Sequence, residues 1–452
     1  MSELLEAVRA ALARARELGA GDAECTASEG EEFSAGVRMQ QVENLKQAGS
    51  RAAGIRVLLD QGTGRRAGSS YTSDLSRGGL DSMVRAAMAL AKVTTADPHA
   101  GLPEAEQLGQ LRDDLKLFDP AIAAMDTEWK IGQAMEAEAA ALAADPRIQN
   151  SEGASFESYL GVQAFANSRG FEGCYRTSSC SLSVVPVARA NGGMERDYWH
   201  SASRHAAGLE PPGLVGRRAA ERVLRRLNPR KVATQKAPVI YEWRAARGLL
   251  SEIFPAVNGS AIYKQASFLA GMLGERIASE HVTVIDDATL PGLFGSCPFD
   301  DEGVASRRTV VIEKGVLKSY LLNTYTARKL GLKTTGNASR GITGNPGVGP
   351  GNFYLEAGTR SREELIAGVR NGLYVTETIG GGANTVTGDY SCGASGLWIE
   401  NGQLAYPVSG ITIAGNLKDM LMNLEQIASD LEFRGSLAAP TLLIGEMTVS
   451  GQ

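Results

Sequence analysis

Apolar positions in residues 1–20 recur with a helical period. Leu4, Leu5, Val8, Ala11, Leu12, Ala15 and Leu18 form one stripe, and Glu3, Glu6, Arg9, Arg14, Arg16 and Glu17 break any continuous apolar run. Such a period predicts an amphipathic helix lying on a core. The pattern then changes to strand-like, and residues 24–71 read as strands. Within them, 52–60 and 65–71 predict a hairpin about Gln61-Gly62-Thr63-Gly64. Helical spacing returns at 75–93 through Leu80, Met83, Val84, Ala87, Met88, Leu90 and Ala91, with Asp74 as the expected N-cap. Residues 97–119 predict a loop. Residues 120–144 predict a second helix, closed by Asp145-Pro146, and 148–188 predict strands turning at Asn167-Ser168-Arg169-Gly170. A third helix, about 214–227, carries Arg217, Arg218, Arg222, Arg225 and Arg226. An anion-binding patch is one reading of that run; a solvated helix face is the expected one, since charge runs usually solvate.

Residues 228–238 are polar and break the helical period, which makes them the expected linker between an N-terminal domain (1–227) and a C-terminal domain (239–452). The second half is glycine-rich and mostly β. A strand at 238–241 enters a helix at 243–254. Hairpins are expected about Lys314-Gly315 (309–313 with 316–322) and about Asn401-Gly402 (397–400 with 403–408). Helices are expected at 325–330, 363–371 and 416–430, and a loop at 336–352. Strand runs and helix runs alternate irregularly, so the fold class is α+β in two domains: a mixed helix and antiparallel-sheet domain, then a Gly-rich, mostly β domain.

Composition narrows the function classes. The chain has 452 residues and a net charge of −5, with 43% hydrophobic and 21% charged residues. That is the profile of a globular protein. Mild acidity argues against nucleic acid as a partner, because phosphate binding needs a basic face. No run of about 18 uncharged apolar residues predicts a membrane span, and the first 20 residues lack the apolar centre of an export signal. Five Cys without a C-x-x-C fit neither a disulfide framework nor a zinc ribbon, so a reducing cytoplasm is expected.

Motif searches return little. The chain has no G-x-x-x-x-G-K-[ST], no H-E-x-x-H and no G-x-S-x-G; Ser395 in Cys392-Gly393-Ala394-Ser395-Gly396 falls one residue short of the last. Cys392 has no histidine near it in sequence to lower its pKa, which favours a structural cysteine. Asp300-Asp301-Glu302-Gly303 could offer oxygens to a hard cation, but reads better as a turn.

Several segments, taken together and in order, resemble the TldD/PmbA family along nearly the whole chain. They include Phe299-Asp300-Asp301-Glu302-Gly303, Leu317-Lys318-Ser319-Tyr320-Leu321-Leu322-Asn323-Thr324-Tyr325, Thr335-Gly336-Asn337-Ala338, Thr387-Gly388-Asp389-Tyr390-Ser391, Ala394-Ser395-Gly396-Leu397-Trp398 and Ile413-Ala414-Gly415-Asn416-Leu417. The resemblance is closest to the PmbA (TldE) branch. It implies a pair of homologous subunits forming a metallopeptidase on unfolded oligopeptides, as in peptide-antibiotic maturation or antitoxin degradation. In TldD, a His-Glu-x-x-x-His helix and a Cys near the carboxyl end hold the metal, taken to be zinc.

In the matching segment of this chain, Ser251 and Ala256 stand at the two histidine positions, Glu252 keeps the general-base position, and no Cys follows Asp430. Zinc catalysis needs three protein donors and an open site. The resemblance therefore implies a non-catalytic subunit with no metal of its own, zinc in a TldD-like partner, and an oligopeptide substrate. Asn337, Gly347, Gly381, Asp389 and Tyr390 are candidates for a peptide channel or subunit contact. The alternatives are a peptide-binding or regulatory homodimer, and a metal-independent hydrolase using Cys392 or Ser251 with Glu252.

Overall fold

The structure is a computed structural model, and it describes residues 2–109 and 114–451. The first apolar stripe forms α1 (Ser2–Glu17). Three antiparallel strands follow: β1 (Asp22–Arg38), β2 (Gln41–Gln61) and β3 (Gly64–Thr72). The expected hairpin is the β2–β3 pair, which closes at Gln61 opposite Gly64. The next helix, α2 (Arg77–Val93), is capped by Ser76 rather than Asp74. The Ser76 hydroxyl accepts the Gly79 N–H, while Asp74 accepts the N–H of Ser76 itself.

The single helix expected over 120–144 is two, α3 (Pro120–Ala123) and α4 (Thr127–Ala143). Asp126 has an extended backbone at the break and accepts the Trp129 N–H, so it restarts the helix as an N-cap. Positions 110–113 of the expected loop lie outside the described residues. The first half ends with β4 (Ile148–Asn167), β5 (Glu172–Ala190), β6 (Gly193–Arg196), β7 (Trp199–Ser203) and α5 (Pro212–Leu224).

These strands form one antiparallel sheet in the order β3-β2-β1-β4-β5-β6, with β7 also on β5. Alternation along the strands explains how it is covered. Cys25, Ala27, Ile55, Val57, Ala164 and Ala166 pack with the apolar stripes of α1 and α2. Farther along the same face, Val37, Phe156, Leu182 and Val184 pack with α4 and α5. All four helices thus lie on one side of the sheet.

In the second half, β8 (Gln235–Tyr241) begins inside the stretch read as linker. The next elements are α6 (Trp243–Val257), α7 (Gly259–Tyr263), β9 (Val284–Asp287), β10 (Arg308–Glu313), β11 (Val316–Leu317) and α8 (Thr324–Leu330). The 336–352 loop contains a small ribbon, β12 (Ala338–Ser339) with β13 (Gly347–Val348). Then come β14 (Phe353–Leu355), α9 (Arg362–Ala367), β15 (Asn371–Ala383), β16 (Asp389–Glu400) and β17 (Gln403–Asn416). The last elements are α10 (Leu417–Met422), β18 (Leu424–Ile427), β19 (Leu437–Ala438) and β20 (Leu442–Ser450).

The helix expected over 416–430 stops at Met422 because residues 424–427 pair with β20 instead. The helix expected over 243–254 runs on to Val257, with Pro255 inside it. Pro255 sits in the last turn, where its missing N–H forfeits a single bond.

Strands β17-β16-β15-β8-β20 close on themselves, since β17 also pairs with β20. The ring and α6 share the largest apolar core, including Val239, Tyr241, Leu249, Leu250, Ile253, Val375, Ile413 and Val449. A separate sheet runs β11-β10-β9-β14-β19. The whole is a multi-domain α+β fold. Among the described residues, no helix is long and apolar enough to cross a membrane.

Charged groups join the two halves. The basic run is mostly paired rather than solvated: of its five arginines, three in α5 and two just past its end, Arg217 alone is exposed. Arg222 donates two hydrogen bonds to the Glu242 carboxylate at 2.9 Å each, and Arg225 adds a third at 3.1 Å. Arg226 bonds Glu377 of β15 at 2.6 Å. Asp197 completes the group, 3.3 Å from Arg222 and 3.6 Å from Arg244. Burial pushes the Glu242 carboxyl up, but Arg222 and Arg225 outweigh it and hold the group down, at about 2.

Removing one member of a buried pair strands the other in a low-dielectric site. Glu242→Gln should therefore cost about 3–5 kcal/mol in urea unfolding, and the double change Arg222→Met with Glu242→Leu should recover most of it. Because the folded pKa lies below the ordinary glutamate value of 4.5, the Glu242 contribution is present above that pH. It should fade as pH drops toward 2.

Candidate functional site

The segment that could hold chemistry is the middle of α6, where it crosses the β15–β16 hairpin of the ring. The helix buries Leu249, Leu250, Ile253, Ala256 and Val257 on one side. Ser251 lies on the other side and is exposed. Its hydroxyl donates to the Gly248 carbonyl at 2.6 Å, the usual resting bond of a helical serine. Ala256 is fully buried in the core. The structure thus places Ser251 and Ala256 on different faces of the helix, one in solvent and one among apolar side chains.

Glu252, between them, is half-buried and turned to the hairpin. Its Oε2 accepts the Ala383 N–H at 3.0 Å. Gly380, Gly381 and Gly382 take successive positive φ values of +59°, +69° and +137°, a conformation that favours glycine. They form the bulge where the β15–β16 register slips between Ile379 and Gly382. A Cβ on Gly382 would stand 2.9 Å from the Glu252 carboxylate, and one on Gly381 would stand 2.0 Å from the Ser391 carbonyl oxygen. The glycines let strand and carboxylate meet.

Cys392 and Tyr390 lie on the adjoining strand, both buried. The thiol donates to the Tyr390 hydroxyl oxygen at 3.0 Å. Burial pushes the Cys392 thiol up, the Tyr390 bond pulls against this, and the charge of Glu252 pushes it higher again. Burial likewise raises Tyr390, and its bond to Cys392 adds to the shift. A thiolate nucleophile needs the opposite environment, one that favours the anion.

The other sequence candidates lie apart from this helix. Asn337 is buried, and its amide donates to Asp286 at 2.7 Å and to the Gly349 carbonyl at 3.1 Å. Gly347 is exposed in β13, and its carbonyl accepts from Asn323. Asp389 is exposed at the start of β16 and accepts from Thr387 and Asn416.

The Asp300 carboxylate accepts the N–H groups of Glu302, Val304 and Ala338, each at 2.9 Å, so it organises a turn. Asp286 lies under Asn337, and its second oxygen has no hydrogen-bond partner. Burial pushes its carboxyl up to about 6, against the Asn337 bond. Among the described residues, no group of three His, Cys, Asp or Glu side chains is placed to hold a metal ion.

Three family models match the chain, described as PmbA/TldA metallopeptidase domain 1 (residues 23–91), central domain (120–227) and C-terminal domain (234–451). The Metalloprotease PmbA of Escherichia coli O157:H7 is 40% identical over 445 residues, covering 98% of this chain and 96% of that protein. A crystal structure from Bacteroides thetaiotaomicron superposes with a TM-score of 0.91 at 30% identity, covering 99% of this chain and 98% of that one. TldE from Thermococcus kodakarensis shares the fold, with a TM-score of 0.88 at 22% identity, covering 98% and 100%. Fold and sequence agree on the class, a protein built like the PmbA-type metalloproteases. The chain belongs to the PmbA/TldD metallopeptidase family.

The metal that this family name implies does not fit the residues at the helix. A hydroxyl bonded back to its own helix and a buried methyl are not zinc donors, and the one carboxylate between them is engaged by a backbone N–H.

Two variants test whether Glu252 now acts as a cap. Glu252→Gln keeps an oxygen acceptor for Ala383 and should change stability little, whereas Glu252→Ala should cost about 1–2 kcal/mol in chemical unfolding. Asp286 gives a pH test. Its folded pKa is raised from 3.8 to about 6, so its contribution is greatest below the lower value and is lost as pH rises through the higher. Relative to Asp286→Asn, the wild type should lose about 2 kcal/mol in unfolding measurements between pH 4 and 7.

Proposed function

We propose that this chain is the non-catalytic, TldE-like subunit of a two-subunit metallopeptidase that cleaves flexible oligopeptides. The observation that carries the reading is the state of Glu252. At the position of a general base, its carboxylate is held by the Ala383 N–H against a glycine bulge, with no imidazole at 251 or 256 to bring it an activated water. Likeness over almost the full length to a relative named a metalloprotease supports a role in the same activity. In this reading zinc resides in a TldD-like partner, and this chain helps enclose the peptide. Ile379 and Val386, both exposed beside the glycine bulge, present apolar surface for that contact.

The reading in which this chain is itself a hydrolase finds little support. Ser251 donates back to its own helix, and Cys392 is buried and held in its thiol form.

The test is cleavage of an unstructured peptide, with metal analysis, for this chain alone and for the chain co-purified with a TldD-like subunit. Zinc and chelator-sensitive cleavage are expected only in the co-purified sample. Chelator-resistant cleavage by this chain alone, abolished by Cys392→Ala or Ser251→Ala, would overturn the proposal. Peptide binding without cleavage in either sample would point to the regulatory homodimer.

A further inference from the structure

The side of the seven-stranded sheet that faces away from its helices is only half covered. Near one end, segments of the second half sit on it, with Arg340 reaching Glu24 and Thr26. The rest floors an open cleft of about 580 Å³, walled by Phe294 and Arg434.

On that floor Tyr159 of β4 lies flat against the sheet. Gly30 and Gly161 stand directly opposite each other on β1 and β4. A Cβ on Gly30 would stand 2.9 Å from the tyrosine ring, and one on Gly161 would stand 2.7 Å from it. Glycine inside a strand weakens it and often marks a close approach; here the paired glycines make the seat for the ring. One side of the ring rests on backbone and the residue is 37% exposed, so the other side faces the cleft.

Carboxylates flank the open side. Glu32 is opposite Tyr159 in the β1–β4 register, and Glu157 is two residues back on the same face of β4. Both are exposed. An aromatic face carries negative quadrupole density and attracts a cation, more strongly with carboxylates at its rim. Cations nearby are already matched or weakly held. Arg434 is bonded by Glu210 at 2.6 Å and Glu432 at 2.9 Å. Lys46 is 3.5 Å from Glu32, with both side chains about three-fifths exposed (61% and 59%), an ion pair that a ligand can displace.

We propose that this floor is a subsite for a basic side chain of an extended polypeptide. The guanidinium or ammonium stacks on Tyr159 and is neutralised by Glu157 and Glu32. A polypeptide fits better than a free cation, because the cleft runs on over the hydroxyls of Ser179 and Ser181 and is far larger than one side chain. The proposal rests on the reading that the assembly handles flexible peptide, and it names the kind of segment this chain would hold.

The test measures binding to the isolated chain, without partner or cleavage, so it can fail or succeed independently of the peptidase reading. The probe is a fluorescein-labelled hexapeptide of Gly and Ser with one central Arg, compared with the same peptide carrying Gln. The arginine peptide should bind about fivefold tighter. Tyr159→Phe should keep that preference, and Tyr159→Ala should remove it. Glu157→Gln, a change at an exposed position that leaves packing intact, should reduce it. Equal affinity for the two peptides, no binding of either, or a preference untouched by Tyr159→Ala and Glu157→Gln would overturn the proposal. N-acetylargininamide competing as well as the hexapeptide at equal concentration would overturn the polypeptide assignment.

Discussion

The structure depends on buried charge at the seam between its halves. Glu24 of β1 is fully buried, and it accepts Arg56 from its own sheet and Arg340 from the second half, each at 2.7 Å. Glu242 does the same from the other side, holding Arg222 of α5 and Arg225 just past its end. Removing either partner of such a buried pair would leave a charge without compensation, so carboxylate and arginines are buried only together. Each anion therefore needs cations from across the seam, which specifies how the halves meet more sharply than apolar contact would. Close packing acts alongside: a Cβ at Gly54 would stand 1.6 Å from the Ile342 carbonyl oxygen, and one at Gly173 would stand 2.4 Å from the Phe299 ring.

This arrangement explains what the sequence showed and what it hid. Local signals were legible. The 3.6-residue stripes of α1 and α2 and the Asn401-Gly402 turn of β16–β17 appear where their patterns place them. Breaks set by a single side chain were harder. Asp126 restarts a helix within what reads as one periodic run, because its cap bond outweighs a continuous pattern of good helix formers. Residues 424–427 keep helical periodicity yet pair with β20, a choice made by a strand whose partners lie 15 to 20 residues further on. The arginines of 217–226 were visible as a charge run, but a carboxylate partner sits as far as 151 residues away, and no local pattern encodes such a pairing.

The candidate site was legible mostly through the family resemblance. Ser251, Glu252 and Ala256 could be aligned to a metal helix, but the sequence did not show that Glu252 faces the triple-glycine bulge. Gly381 read as a candidate for a peptide channel or subunit contact; in the structure Gly380, Gly381 and Gly382 bring a strand to within reach of a helix carboxylate. Tyr159 and Gly161 carried a signal that went unread: an aromatic residue two positions from a glycine on one strand face is how a ring comes to lie flat on a sheet.

The closed ring of β8, β15, β16, β17 and β20 has a consequence for biosynthesis. Tyr241 of β8 pairs with Leu442 of β20, a separation of 442 − 241 = 201 residues. At roughly 5–20 residues per second, the ribosome needs about 10–40 s to make that interval. For all of it, the apolar β8 and α6 have been synthesised but lack the strand that completes their core. The nascent chain must carry an open, sticky half-barrel for that time, and this is the stage at which holding chaperones would matter most to this protein.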